Sequence, residues 1–282
     1  MMRSAVLAAV ALVAAPVPAV SKAQQSTEAQ VRWTGVPMQG GLLQASAPSG
    51  ATATLDGVVV PVAPDGRFLL GFDRDAGPKA VLVVTTRDGH TLTRSIAVAA
   101  RAWRIERLTT LPRYPAPDPV FAMLRPPELA QIAAARARVT DADGWRQAFR
   151  WPVTGRISGQ FGAQRVYRGE PGSYHSGTDI ARPTGTDVVA PADGVVILAA
   201  TTPFSLEGNL LMLDHGLGLN SAFLHLSRID VDVGDHVRAG QPIGAVGKSG
   251  RATGPHLHWA LRWGTAKLDP VLVAAPMGSA AE

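Results

Sequence analysis

The sequence predicts an all-β protein: an antiparallel β-sheet domain in the second half, preceded by a small β-sandwich and a connecting helix. Three observations predict this. The 282 residues include 29 Gly and 22 Pro, so turns are frequent. Short alternating apolar runs separated by Asp-Gly and Gly-rich turns recur through both halves. Only one segment carries apolar residues near helical spacing. The length suggests two domains, and 46% apolar residues suffice for a core in each.

Met1 to Arg3 form a short basic start, Ala5 to Val20 are almost wholly apolar, and Ser21-Lys22-Ala23 ends in a small-residue pattern. Residues 1–23 therefore read as a secretory signal peptide cleaved after Ala23. The apolar run is shorter than the ~20 residues needed to span a bilayer and contains Pro16 and Pro18, so no membrane anchor is expected after cleavage.

Residues 24–112 form the expected sandwich. Val58 to Val62, Arg67 to Leu70, Val81 to Thr86 and Thr91 to Val98 read as strands. Asp56-Gly57, Asp65-Gly66 and Asp88-Gly89 read as two-residue hairpin turns between them. His90, beside such a turn, is expected to be exposed.

Residues 113–150 hold a stiff Pro-rich linker and a helix. Proline at 112, 115, 117 and 119 rules out a regular element there. After Pro126-Pro127, residues Glu128 to Val139 place Leu129, Ile132, Ala133 and Ala137 near helical spacing, with prolines at the start. This helix is expected to pack between the domains.

Residues 151–282 return to β. Pro191-Ala192-Asp193-Gly194 reads as a hairpin between Val188–Ala190 and Gly194–Ala199. His215-Gly216-Leu217-Gly218 reads as another, between Asn209–Leu213 and Leu219–Leu226.

Composition narrows the chemistry. With no cysteine, a disulfide framework, an iron–sulfur site, a Cys nucleophile, a thiolate zinc finger and an acylated cysteine are all excluded. The formal charge of +5 comes from the N-terminal half, because acidic and basic residues balance from Arg150 onward. The N-terminal arginines are scattered and lack interleaved aromatics, so nucleic-acid binding is not expected.

Four of the seven histidines lie in two short motifs and one isolated position of the second half. In Gly254-Pro255-His256-Leu257-His258-Trp259, strand alternation points His256 and His258 to one face and Leu257 to the core. In His175-Ser176-Gly177-Thr178-Asp179, an extended chain places positions i and i+4 on one side. His175, Asp179 and one histidine of the pair would supply two imidazoles and a carboxylate. With a fourth position open to water, that is the donor set of catalytic zinc. His225, inside the apolar Ala222–Leu226 run, would then be a non-ligating histidine that either assists water activation or stabilises a tetrahedral oxyanion. His215 and His236 lie in turn contexts without such an argument.

These fragments resemble the lysostaphin/LytM-type zinc metallopeptidases that cut peptide cross-links of bacterial peptidoglycan. The resemblance covers about residues 153–270. It rests on Gly159-Gln160-Phe161-Gly162, His175-x-Gly177-x-Asp179, Asp193-Gly194-Val195-Val196, Gly208-Asn209, His225-Leu226-Ser227, Gly240-Gln241-x-Ile243-Gly244 and Thr253-Gly254-Pro255-His256-Leu257-His258. It implies a LytM-type antiparallel catalytic domain with one Zn2+ held by His175, Asp179 and His258. His225 and His256 would be the catalytic histidines, His256 as general base and His225 toward the oxyanion or the proton, with the two assignments exchangeable. The implied substrate is the stem peptide of peptidoglycan, met in the periplasm or outside the cell. Phe223 stands where the family often has Tyr, and Gln160 enters a turn usually made of small residues. The loop from Arg165 to Tyr174 is expected to shape the substrate groove.

Two other classes compete. A non-catalytic peptidoglycan-binding activator or scaffold of wall hydrolases would typically lack ligands, whereas all five residues are present. A lipoyl or biotinyl carrier needs a modifiable lysine at a hairpin tip, and that reading leaves the histidines unexplained.

Overall fold

The structure, a computed structural model, describes residues 31–112 and 118–277. The expected signal peptide and part of the Pro-rich linker lie outside the described residues. Strand accounts for most of the regular structure, in keeping with the expected all-β class.

Seven strands build the N-terminal part: β1 (Arg32–Thr34), β2 (Leu42–Ser46), β3 (Thr52–Leu55), β4 (Val58–Val60), β5 (Arg67–Gly71), β6 (Lys79–Thr85) and β7 (Thr91–Ala97). They form two antiparallel sheets, ordered β1-β2-β5 and β4-β3-β6-β7. Burial alternates along β6, whose Ala80, Leu82 and Val84 face the core, as a sheet with one solvated face requires. Strand β5 differs: Phe68, Leu69, Leu70 and Gly71 are all buried, so both of its faces are covered.

Only Asp56-Gly57 makes the expected two-residue hairpin, with φ of 50° and 80° and Leu55 opposite Val58. The Asp88-Gly89 loop is longer, running from Thr85 to its partner Thr91. At Asp65-Gly66 the chain reverses, with Val62 bridged antiparallel to Phe68, but β5 then pairs with β2 in the other sheet and not with β4. A turn dipeptide specifies a reversal but not the neighbour to which the chain returns.

Strand β8 (Ile105–Leu108) leaves the sandwich, and helix α1 (Pro119–Arg136) follows. The helix begins nine residues before the expected Glu128. The Asp118 carboxylate accepts from the amides of Val120 and Phe121, and Pro119 occupies the first turn. Pro126 and Pro127, expected at the start of the helix, lie inside it, where each lacks an amide to bond back along the helix. Tertiary contacts outweigh that loss. Arg125 pairs with Glu207 at 2.6 Å and with Glu128 at 3.2 Å, while Glu128 accepts from the Ser205 amide and hydroxyl. The buried face, Glu128, Ile132 and Ala135, packs on Ile197, Leu198, Phe204, Leu210 and Met212. The helix thus lies on the second half and does not separate the halves. No helix of the described residues is long and apolar enough to cross a membrane.

The second half contains β9 (Arg156–Gly159), β10 (Gln164–Tyr167), β11 (Glu170–Pro171), β12 (Thr178–Ala181), β13 (Asp187–Val189), β14 (Gly194–Ala199) and β15 (Asn209–Asp214). Then come β16 (Leu219–Leu226), β17 (Arg228–Ile229), β18 (His236–Val237), β19 (Pro242–Ala245), β20 (Leu257–Trp263), β21 (Ala266–Leu268) and a short helix α2 (Pro270–Val273). The main sheet runs β18-β14-β15-β16-β20-β12-β9, with β21 beside β20, and all its pairings are antiparallel. The expected β15–β16 hairpin around His215 is present. The expected hairpin at Pro191–Gly194 is not. Strand β13 pairs with β19, β14 pairs with β15 and β18, and Asp193 is tied to Gln147 and Ala239 in place of a local reversal.

The two halves share one continuous apolar core, which includes Leu43, Phe68 and Leu82 as well as Phe223, Trp259 and Trp263. The outer face of β5 meets β20 and β21 directly. A Cβ at Gly71 would lie 2.9 Å from the Trp263 ring and 3.2 Å from Leu268.

Candidate metal centre

Strands β12 and β20 are adjacent, and their register places Asp179 opposite His258. His175 lies just before β12, and His256 just before β20, bridged to Gly247. His225 lies near the end of β16, on the other side of β20. All five sequence-predicted residues therefore converge on one end of the central strands.

The tightest group is His175, Asp179 and His258, whose ligand atoms all lie within 4.8 Å of one another. His175 Nε2 is 3.0 Å from Asp179 Oδ1 and 3.0 Å from His258 Nδ1, and His258 Nδ1 is 2.8 Å from the same Oδ1. His175 Nδ1 faces the Gln160 carbonyl at 3.0 Å. A carbonyl only accepts, so Nδ1 carries the proton and, in the neutral ring, Nε2 presents a lone pair. At most one proton, on His258 Nδ1, then stands among three lone-pair atoms pressed to hydrogen-bond distance. Two imidazole nitrogens and a carboxylate oxygen so placed fit a divalent cation. The Gln160 carbonyl also fixes the His175 ring in the manner common for metal-bound imidazoles.

Titration follows from the same crowding. Burial opposes charge on His175, but the hydrogen bond and charge of Asp179 outweigh it and raise its pKa. Burial also works against the Asp179 carboxylate, yet hydrogen bonds with His175 and His258 hold it well below the usual carboxylate range. His258 is lowered, chiefly by burial.

The other two histidines flank this group. His256 Nε2 is 3.7 Å from Asp179 Oδ1, and its Nδ1 donates to the Gly254 carbonyl at 2.8 Å. His225 Nδ1 donates to the Ser249 carbonyl at 2.9 Å, and its ring centroid is 4.9 Å from that of His256. Both rings therefore present the Nε2 lone pair as an acceptor. Burial pushes the His225 imidazole down to about 4, with the neighbouring His258 and His256 adding to it, so it is neutral at ordinary pH. His225 is also one of the described non-glycine residues with positive φ, 65°. Its amide donates to the Glu207 carbonyl at 2.8 Å, which holds that conformation.

Ser249 and Glu207 escaped the sequence reading because each acts on His225 through its backbone carbonyl, which has no residue-type signature. Ser249 is placed in turn by its hydroxyl, which donates to the Leu226 carbonyl and accepts from the Asn209 amide. His215 is not part of the site. It is fully buried between the Asp193 carbonyl and the Ser221 hydroxyl, against Phe149. His90 and His236 are exposed.

Residues 173–270 match the family described as Peptidase family M23. The chain is 41% identical over 128 residues to the peptidoglycan DD-endopeptidase ShyA of Vibrio cholerae, covering 43% of this chain and 29% of that protein. It is likewise 41% identical over 125 residues to the DD-carboxypeptidase/endopeptidase Mpg of Neisseria meningitidis, covering 43% and 27%. The matched part thus spans less than a third of these curated relatives. A crystal structure from Pseudomonas aeruginosa, named as a peptidase M23, superposes with a TM-score of 0.65 at 30% identity, over 86% of this chain and 97% of that chain.

Proposed function

The chain belongs to peptidase family M23, and from that premise we propose that it is a zinc-dependent endopeptidase hydrolysing peptide cross-links of bacterial peptidoglycan. The observation that carries this reading is the meeting of His175, Asp179 and His258, with two further imidazoles beside them. Those three residues would hold the zinc. Bound there, zinc acts as a Lewis acid toward a scissile carbonyl and makes water acidic enough to attack near neutral pH.

The chain's own groups divide the remaining work. His256 and His225 each have Nδ1 committed to a carbonyl, so Nε2 is the working atom in both. His256, nearer Asp179, is the general base that takes the proton of the attacking water. His225 is neutral and also offers a lone pair, which favours proton transfer over a standing hydrogen bond to the oxyanion. The proton that His256 takes up then passes to the leaving amine, directly or through His225 Nε2, whose ring lies beside that of His256. Because the substrate lies outside the cytoplasm, the proposal includes export by the N-terminal apolar segment and action in the cell envelope.

Digestion of purified sacculi, with released fragments identified by mass, tests the reading. The protein should release peptide fragments, His258→Ala should lose zinc and release together, and His256→Ala should keep zinc but lose release. Full release by His258→Ala would overturn the proposal. Bound zinc without release by the unaltered chain would favour the non-catalytic activator.

A further inference from the structure

We propose that Arg74, a residue of the N-terminal sandwich, is a positioning residue for His175, which makes the sandwich a working part of the metal centre. The inference rests on the zinc reading above and deepens it. Arg74 follows β5 and is 6% exposed, although it carries a charge. Its guanidinium reaches out of the sandwich: Nε donates to the Gly162 carbonyl at 3.0 Å and an Nη to Gln164 Oε1 at 3.0 Å, while the other Nη pairs with Asp75 at 2.6 Å.

The segment that Arg74 grips is the one that holds His175. The Gly162 amide donates to the His175 carbonyl at 2.8 Å, and the His175 amide donates to the Ala163 carbonyl at 2.8 Å. Two residues earlier, Gln160 supplies the carbonyl that fixes the His175 ring. Backbone and imidazole of this ligand are thus both set by residues 160–163, and Arg74 bonds directly to that strip.

The surroundings leave the guanidinium little freedom. It lies 5.4 Å over the Trp103 ring and 4.8 Å over the ring of Tyr174, the residue before His175. Tyr174 in turn donates to Asp73 at 3.0 Å. Gly162 has φ of 79°, and any Cβ there would run into the Trp103 ring, so the sandwich side closes directly on this backbone. Nearby, β8 pairs in parallel with β10, and Arg165 pairs with Glu106 at 2.8 Å. Groups that orient a ligand from outside the coordination sphere commonly change metal affinity or activity about 10–100-fold when removed.

The test uses the full chain carrying Arg74→Met or Arg74→Lys. Hydrogen exchange is followed by mass in the metal-free protein, and zinc affinity is measured by competition with a chelator. Arg74→Met should speed exchange over residues 160–175 while β15 and β16 keep wild-type protection, and should weaken zinc binding about 10–100-fold. Arg74→Lys keeps the charge and the aromatic stack but cannot span both acceptors, so it should fall between. Wild-type exchange and wild-type zinc affinity in folded Arg74→Met, or in Arg74→Lys where the former does not fold, would overturn the proposal. So would faster exchange throughout the chain with unchanged zinc affinity, which marks packing alone. An unaltered chain that binds no zinc overturns instead the metal-site reading, and with it the premise of this one.

Discussion

Gly177 shows how little room the metal centre leaves. A Cβ there would lie 2.5 Å from the Trp259 carbonyl and 2.6 Å from His258 Nε2. Gly177→Ala must therefore displace β20 or turn the His258 ring, and zinc affinity should fall at least tenfold in a chelator competition. His225 tests a different point, because it touches the reacting groups but holds no metal in this reading. His225→Ala should retain zinc and lose about 10²–10⁴-fold in sacculus release, the usual reach of a general acid–base group. The residue scale was also the most legible in the sequence. Strand alternation puts His256 and His258 on one side, and register then brings Asp179 opposite His258. The carbonyls of Gln160, Gly254 and Ser249, which decide the protonated nitrogen of three rings, were invisible because every residue type carries one.

Helix α1 is held to the sheet by charge as much as by apolar contact. Burial disfavours the Glu128 carboxylate, yet its bonds from Ser205 and Arg125 leave its pKa lowered. Arg125→Met would strand Glu128 and Glu207, whose side chains are 12% and 10% exposed. The expected cost is about 3 kcal/mol, read from urea unfolding, in line with breaking a largely buried ion pair. Because Glu207 also supports the His225 backbone, sacculus release should fall further than zinc affinity does in this variant. The helix start was misread because the local cost of Pro126-Pro127 is visible in sequence, whereas the partners that offset it, Glu207 and Ser205, lie far along the chain. The same limit applies to Pro191–Gly194, where a break between strands was legible but the passage to another sheet was not.

Across the whole molecule, β5 packed on β20 and β21 predicts cooperative unfolding. Calorimetry should show one transition that includes the sandwich, and Trp263→Ala should lower its midpoint, with a cost of about 3–5 kcal/mol. Two separate transitions would contradict the shared core. Stability should also depend on pH through His215, whose imidazole burial pushes down to about 4 from 6.5. The unfolded chain takes up this proton below pH 6.5 while the folded chain does not. The contribution is therefore complete above 6.5 and is lost as pH falls toward 4, amounting to about 3 kcal/mol. The urea midpoint should fall less between pH 7 and pH 4.5 in His215→Asn than in the unaltered chain. The two-part β organisation was legible in the spacing of turns, but the joint between the parts was not. Only the unbroken Phe68-Leu69-Leu70 run hinted that β5 is covered on both faces. The position of β20 has a consequence for the order of assembly. It sits in the middle of the main sheet, between β16 and β12, yet it is the last long strand among the described residues. Until residues 257–263 have been made, β16 has an open edge and Asp179 has no His258 opposite it. A chain interrupted before residue 263 thus carries an unfinished sheet and lacks one of the three candidate ligands, so the proposed metal site can close only after β20 has been made.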